Sequence, residues 1–319
     1  MHYAYVISKG RLVRLEPDAD PAHAIWIDLI QPGDDEIAMM HRLGVPLPTL
    51  ADMEEIEISN RLYRDEGLDF MTAVLPGENA GGQRKAMPVS FILDRHRLVT
   101  VRHHSPRPFL TYPDRADRST LGCSTSDRLF LGLVEEIVAR QADILEGSGR
   151  ILDETMSGVF VAQVRTGSER LQAVLQKVGR EAETMSQVRL GLMTTERVLA
   201  FYSALVEEFR EGSKLRPAVK AHLRDVQALE VHADFLSSRV SLAVDSTLGL
   251  INLQQNNTVR ILSILSALFM PPTLIASMYG MNFDNMPELH VSWGYPLAIV
   301  LMVGTAIGTW LLLRWKNWL

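Results

Sequence analysis

With 319 residues the chain has room for two domains, and a mean hydropathy of +0.04 means that any membrane character must be concentrated in particular segments. A net charge of −6 without a polybasic tail argues against nucleic acid as a main partner; it suits cation handling, although many soluble proteins share it. The single cysteine, Cys123, excludes an intrachain disulfide and fits a reducing compartment. The start, Met1 to Val6, has neither a basic stretch nor a long apolar run, so no cleavable signal is expected and the bulk of the chain should stay cytoplasmic.

Residues 1–125 read as a mixed α/β domain. Tyr3–Ser8 and Arg11–Glu16 form a predicted hairpin around Lys9-Gly10, and Ala24–Ile30 a buried strand. A helix should follow, with Asp34 and Asp35 in its first turn and Gly44 near its end. Strands are expected again at Phe70–Leu75, Val89–Leu93 and Leu98–Arg102, with Pro76-Gly77 and Gly81-Gly82 punctuating the loop between the first two. His96, His103 and His104 invite a metal reading. No Cys or carboxylate at ligand spacing accompanies them, and neighbours on a strand point to opposite faces, so they are expected to form a solvated strand end. Glu54, Glu55 and Glu57 are expected on a solvated face.

From about Asp127 the prolines and glycines thin out, and helices are predicted over roughly 127–165, 168–210 and 218 onward, with residues 126–217 as the helical part of the cytoplasmic region. Gly167-Ser168 and Gly212-Ser213 with Pro217 mark the breaks. The third helix has no convincing stop before Tyr279, which makes it on the order of 90 Å long at 1.5 Å per residue. A stalk over 218–259 would then continue as a first apolar span over 260–280, followed by a polar loop (281–291), a second span (292–313) and a basic tail (314–319). Each apolar run approaches the ~20 residues that cross a bilayer core as a helix. Arg260, Arg314 and Lys316 flank the spans, whereas the loop carries Asp284 and Glu288 and no Lys or Arg, so both termini are expected in the cytoplasm.

The first span carries a polar stripe that lipid cannot satisfy. Asn252, Asn256, Val259, Ser263, Ser266, Met270, Thr273 and Ser277 follow one another at alternating spacings of four and three, the period of a helix facing partner helices in a left-handed bundle. Asp245 lies one heptad earlier, at the expected membrane entrance. Two explanations compete: small and hydroxyl residues packing helix against helix, or a pore with polar rings (Asn256, Thr273) and apolar rings (Val259, Leu262, Met270). Two spans per chain can line a pore only if several copies surround an axis. Pro271 and Pro272 are expected to kink the helix, which membrane helices tolerate. The second span carries Gly304 and Gly308 as a GxxxG pair and no charge, and should face lipid while packing on the first.

Tyr279-Gly280-Met281-Asn282-Phe283, then Met286-Pro287-Glu288-Leu289, Trp293-Gly294-Tyr295-Pro296 and the closing Lys316-Asn317-Trp318-Leu319 together resemble the signature of the CorA family of divalent-cation channels. The resemblance implies an α/β cytoplasmic domain followed by long helices, a stalk helix entering a two-helix transmembrane hairpin, and a homo-oligomeric funnel, specifically a homopentamer in the bacterial inner membrane. It makes Gly280, Met281 and Asn282 the outer selectivity filter for hydrated Mg2+, with Co2+ and Ni2+ as further substrates, and it favours the pore explanation of the stripe. Asp284 and Glu288 would raise the local cation concentration. It further implies regulatory Mg2+ held between neighbouring cytoplasmic domains, with Asn282, Asp245 and Asp225 as metal-contacting residues. Counting back without gaps from the filter puts the family's stalk carboxylate at Ala221, beside His222, and a one-turn shift is needed to reach Asp225. Besides divalent cations, membrane lipid and further copies of the chain are the implied partners. No organic cofactor and no enzymatic turnover are expected: there is no nucleophile with a base, no phosphate loop and no metal-ligand spacing. The alternatives are a proton-driven zinc transporter of the ZntB branch, which departs from the Met281 and MPEL pattern kept here, and a membrane-anchored sensor or scaffold that conducts nothing.

Overall fold

The computed structural model describes residues 1–16, 18–78, 84–161, 168–207, 212–281, 286–287, 291–316 and 318. The chain divides into two units, one made of Met1–Arg165 and Ala173–Val244, the other of Thr166–Gln172 and Asp245–Leu319.

The first unit is built on a seven-stranded sheet in the order β2-β1-β3-β7-β6-β5-β4. Its strands are β1 (His2–Ser8), β2 (Arg11–Arg14), β3 (Trp26–Ile30), β4 (Leu62–Asp65), β5 (Leu68–Glu78), β6 (Arg84–Leu93) and β7 (Leu98–Arg102). Only β3 and β7 run parallel; the other neighbours are antiparallel. The β1–β2 turn places both Lys9 (φ 51°) and Gly10 (φ 79°) in the left-handed region, the backbone that a two-residue hairpin turn needs to match strand twist.

Alternation along the strands fills two cores. Ile27, Leu29, Ile92, Val99 and Val101 form one with Met40 of α1 (Asp34–Arg42) and Met53 of α2 (Leu50–Glu54). Trp26, Met71, Ala73, Leu75, Phe91 and Leu98 form the other with Phe109 of α4 (Pro108–Thr111) and apolar residues of α5 (Ser126–Val161), α6 (Ser168–Val206) and α7 (Gly212–Tyr279). β3 and β7 are buried on both faces, so apolar residues fill both sides of each strand, and the polar residues among them, Asp28, Thr100 and Arg102, must find partners inside. Helix α1 opens with Asp34, Asp35 and Glu36, and Glu36 Oε2 accepts the Gly33 N–H at 2.8 Å, so its anionic end meets the positive end of the helix dipole. Helix α3 (Ile58–Arg61), α2 and β4 have no counterpart among the predicted elements.

Pro76 and Gly77 do not lie in a loop: β5 continues through them, pairing Pro76 with Ala86 and Gly77 with Lys85. The N–H of Val74 is donated to Thr194 Oγ1 on α6 (2.9 Å) and that of Glu78 to Ser105 O, both off the β6 edge. Pro76 has the same parity, so its missing N–H costs no ladder bond. Gly77 is needed because a Cβ there would sit 2.5 Å from the His104 ring and 2.9 Å from Pro106 N.

The break expected at Gly212 to Pro217 is also displaced. Helix α7 already starts at Gly212 and carries Pro217 in its second turn. The proline forfeits the bond to the Ser213 carbonyl, while buried Leu215 and Val219 fix the helix on either side. The described helix is 68 residues long, roughly 100 Å at 1.5 Å per residue.

A buried polar network joins the two parallel strands. Asp28 and Arg102 are 1% and 0% exposed, and Arg102 Nη2 donates to Asp28 Oδ2 at 2.8 Å while its Nε reaches both carboxylate oxygens. Thr100 Oγ1 donates to Asp28 Oδ1 at 2.8 Å and accepts from Trp26 Nε1 at 3.1 Å; Arg102 Nη1 donates to His104 O at 2.8 Å. Each nitrogen of the guanidinium and each oxygen of the carboxylate therefore has a partner, the condition for burying an ion pair at all.

In the second unit, α7 continues to Tyr279 and α8 spans Gly294–Trp315. Both are long and apolar enough to cross a membrane. Helix α8 contains no acidic residue and buries Gly294, Ala298 and Leu313.

Candidate functional site

The stripe on α7 lies on a stretch of helix that is exposed over most of its surface, off-stripe Leu253, Ile261, Leu265 and Phe269 included, so its period rather than its exposure sets it apart. Asn252, Asn256, Val259, Leu262, Ser263, Ser266, Met270, Thr273 and Ser277 are all exposed, Met270 at 68%. The half-buried positions Ile264, Ala267, Leu268, Pro271, Pro272, Ile275 and Tyr279 fall roughly on the opposite side at 100° per residue. The kink expected at the two prolines does not interrupt the helix.

The same alternation of four and three, carried back toward the N-terminus, passes through Gly249, Asp245, Leu242, Ser238, Phe235 and Val231, every one exposed. Val231 is 72% exposed and Leu242 61%, whereas Ala233, Leu236, Val240 and Ala243 bury the other face of that segment in the core. Large apolar side chains left out on one seam are unusual in a monomer when they recur in register. Sequence inspection missed this extension because apolar residues at helical spacing in a soluble segment look like core; their exposure distinguishes them.

Along the stripe, Thr273 Oγ1 donates to Phe269 O at 2.7 Å, which leaves its lone pairs outward as acceptors. Asn252 and Asn256 have no hydrogen-bond partner among the described residues, while off-stripe Asn257 accepts from Arg260 Nη2 at 2.8 Å. Helix α7 ends at Tyr279; Gly280 N–H donates to Ala276 O at 3.0 Å and Met281 is exposed. The carbonyl end of a helix carries partial negative charge, which suits a cation. Asn282, Asp284 and Glu288 lie outside the described residues.

The carboxylates assigned to metal are not gathered within one chain. Asp225 and Asp245 are both exposed and 20 positions apart on α7, roughly 30 Å along the axis. Ala221 is exposed and His222 buried. Among the described residues no three His, Cys, Asp or Glu side chains cluster at metal-binding distance. Glu54, Glu55 and Glu57 are exposed.

The histidines do not form a solvated strand end. His96 is exposed and His103 half-buried, but His104 is 3% exposed, with Nε2 2.8 Å from Leu75 O. The carbonyl makes Nε2–H the donor. Burial pulls the His104 pKa down from 6.5 to about 4, offset in part by the Leu75 bond, and burial lowers those of His103 and His222 as well. A base whose folded pKa is depressed is neutral in the fold and binds its proton in the unfolded chain first. Stability is therefore whole above pH 6.5 and lost as the pH falls toward 4. His104 alone should remove roughly 2 kcal/mol between pH 7 and pH 5. Urea midpoints of the purified protein across that range measure this. His104→Gln, which keeps an N–H for Leu75 O, should flatten the slope; an unchanged slope would assign it to other groups.

The family model described as CorA-like Mg2+ transporter protein matches residues 21–314. The Magnesium transport protein CorA of Haemophilus influenzae is 34% identical over 318 residues, covering 99% of both chains, and that of Pectobacterium atrosepticum is 36% identical over 319 residues at the same coverage. Among solved structures, the complete CorA magnesium transporter from Methanocaldococcus jannaschii superposes with a TM-score of 0.73 at 18% identity, covering 100% of this chain and 99% of that one. The ZntB cytoplasmic domain from Vibrio parahaemolyticus shares the fold more distantly, with a TM-score of 0.56 at 13% identity over 79% of this chain and 97% of that one. A match this complete in both sequence and fold leaves one conclusion: the chain belongs to the CorA-like Mg2+ transporter family.

Proposed function

We propose that the protein conducts Mg2+ across the bacterial inner membrane as a homopentameric channel lined by the α7 stripe. The observation that carries this is the exposed seam itself: polar and apolar side chains in one 3.5-residue register, on a membrane-long helix that ends at Tyr279, directly before Gly280-Met281-Asn282 in the sequence. Neither lipid nor the rest of the chain satisfies that face, whereas further copies around an axis would. The relatives named Magnesium transport protein CorA support Mg2+ as the substrate, and ZntB is too distant to favour zinc.

Mg2+ is small and sheds water slowly, so a channel for it does best to recognise the hydrated ion. Gly280, Met281 and Asn282 of each copy form the outer filter, where neutral amide and carbonyl oxygens accept hydrogen bonds from the ion's water shell. Asp284 and Glu288 concentrate cations outside it. Inward along α7, Ser277, Thr273, Ser266 and Ser263 offer hydroxyl oxygens, and Asn256 and Asn252 amides, to the same shell. Met270, Leu262 and Val259 form apolar constrictions that close by losing water. Both termini are cytoplasmic, Arg260, Arg314 and Lys316 anchoring that side. Residues 1–125 and 126–217 form the cytoplasmic part, 218–259 the stalk, 260–280 and 292–313 the spans, 281–291 the outer loop and 314–319 the tail. Co2+ and Ni2+ follow the same path. The protein performs no turnover, and no organic cofactor takes part.

Regulatory Mg2+ binds between copies, because isolated carboxylates such as Asp225 and Asp245 can complete a coordination shell only with oxygens from a neighbour or water. Mg2+ occupancy stabilises the closed ring and its loss favours opening.

The test is Mg2+ entry into proteoliposomes loaded with a Mg2+-sensitive dye. Wild-type protein should fill them rapidly, and Asn282→Ala should reduce entry to the protein-free rate. Entry of Zn2+ alone, driven by a proton gradient, or no entry from an intact oligomer, would overturn the proposal.

A further inference from the structure

The sheet unit contains a cavity of about 360 Å³ between the end of β5, the segment leading into α4, and helices α5 and α6. It shares no residue with the α7 seam. Its wall combines Arg107 and Arg140 with the hydrogen-bonding groups of Thr184 and Gln187 and the aliphatic side chains of Leu110 and Ile144.

Neither arginine is neutralised by a described carboxylate, and the backbone that carries Arg107 is fixed. Arg107 sits between buried Pro106 and Pro108 at φ −54° and ψ −35°, and Ser105 N–H donates to Glu78 O at 2.9 Å, tying the segment to the end of β5. Arg140 lies one turn after Glu136, whose carboxylate is already engaged by Thr111 Oγ1 at 2.7 Å and Arg115 Nη1 at 3.2 Å. Neither Arg107 nor Arg140 forms an ion pair with a described residue. The next residue, Gln141, is 1% exposed, and neither its Nε2 nor its Oε1 has a partner among the described residues. It packs where a Cβ on Gly191 would meet its Nε2 at 2.5 Å, beside Pro76 of the cavity wall. Gln141 does not itself line the cavity, so its unpaired amide belongs to the packing behind the wall.

We propose that this cavity binds a phosphorylated metabolite the size of a nucleoside monophosphate. Guanidinium groups match phosphate oxygens in bidentate geometry. The aliphatic wall suits the flat face of a base, and the Glu78 carboxylate in the same wall accepts from sugar hydroxyls or an amino group. The volume lies in the range of small-molecule sites. Such a site would couple the cytoplasmic unit to the cell's phosphorylated pool, independently of the ion that the membrane part carries.

Calorimetric titration of the full-length oligomer in detergent with AMP tests this, with adenosine and inorganic phosphate as comparisons. AMP should bind at one site per chain, more tightly than either fragment. Arg140→Ala should weaken it about tenfold or more, the worth of a charge-assisted hydrogen bond, and Ile144→Trp, which fills the cavity, should abolish it. Arg140→Gln provides a second variant if the alanine protein does not assemble. Absence of AMP binding, inorganic phosphate binding as tightly as AMP, or AMP binding unchanged in Arg140→Gln and Ile144→Trp would each overturn the proposal.

Discussion

Arg102→Met should destabilise the sheet unit by about 3–5 kcal/mol, because it leaves the Asp28 carboxylate buried without its cation. The side chain is nearly absent from the surface and spans β7 to β3 at the sheet's single parallel junction, so little water can replace the guanidinium. Asp28→Leu should cost a similar amount, since it strands the guanidinium and the Thr100 hydroxyl together. The double variant should regain much of the loss, as apolar replacements of a buried pair often do. Recovery should stop short of wild type by about 1–3 kcal/mol, because the Thr100 hydroxyl proton and the His104 carbonyl still lack partners. Pulse proteolysis across a urea gradient measures all three on the intact protein. Single variants within 1 kcal/mol of wild type would mean that water reaches the pair.

This pair was invisible in the sequence, where Asp28 and Arg102 are 74 positions apart and each looks like an ordinary surface charge. Local signals fared better. Lys9-Gly10 announces its turn because only a few residues tolerate positive φ, and α7 is legible over its membrane part because no stop separates Ala218 from Tyr279. Proline misled twice for one reason. The ring forbids an N–H, but whether that matters depends on where the bond would have gone. At Pro76 it would have pointed off the paired edge, and at Pro217 packing on both sides sustains a helix with one bond missing. The short helices α2 and α3 have too few residues to show a period. His104 looked solvated because its burial depends on Gly77, whose missing side chain makes room for the ring. The stripe was legible as a period, but the period alone could not separate packing from a pore.

Cysteine accessibility along α7 separates them. The native Cys123 is 3% exposed and its Sγ donates to Gly10 O at 3.4 Å, so Cys123→Ser gives a background without competing thiols. Single cysteines at Ser263, Ser266, Met270, Thr273 and Ser277 should react with a cationic, membrane-impermeant methanethiosulfonate, because a water-filled axis brings both reagent and thiolate together. Cysteine at Leu265, about 120° away from the stripe at 100° per residue, should not. Each modification fixes a positive charge in the path of a divalent ion. At about 8 Å and an effective dielectric of 20, that repulsion is about 4 kcal/mol per group, roughly a thousandfold in rate. Mg2+ entry should therefore stop with one modified copy per oligomer and return when a reducing agent removes the adduct. Tight helix packing predicts the reverse: no reaction along the stripe, and flux insensitive to reagent at every position. Equal reaction at Leu265 and on the stripe would show that α7 rotates or opens too freely to keep a single lining face, and the assignment of Met270 and Val259 as constrictions would fall with it.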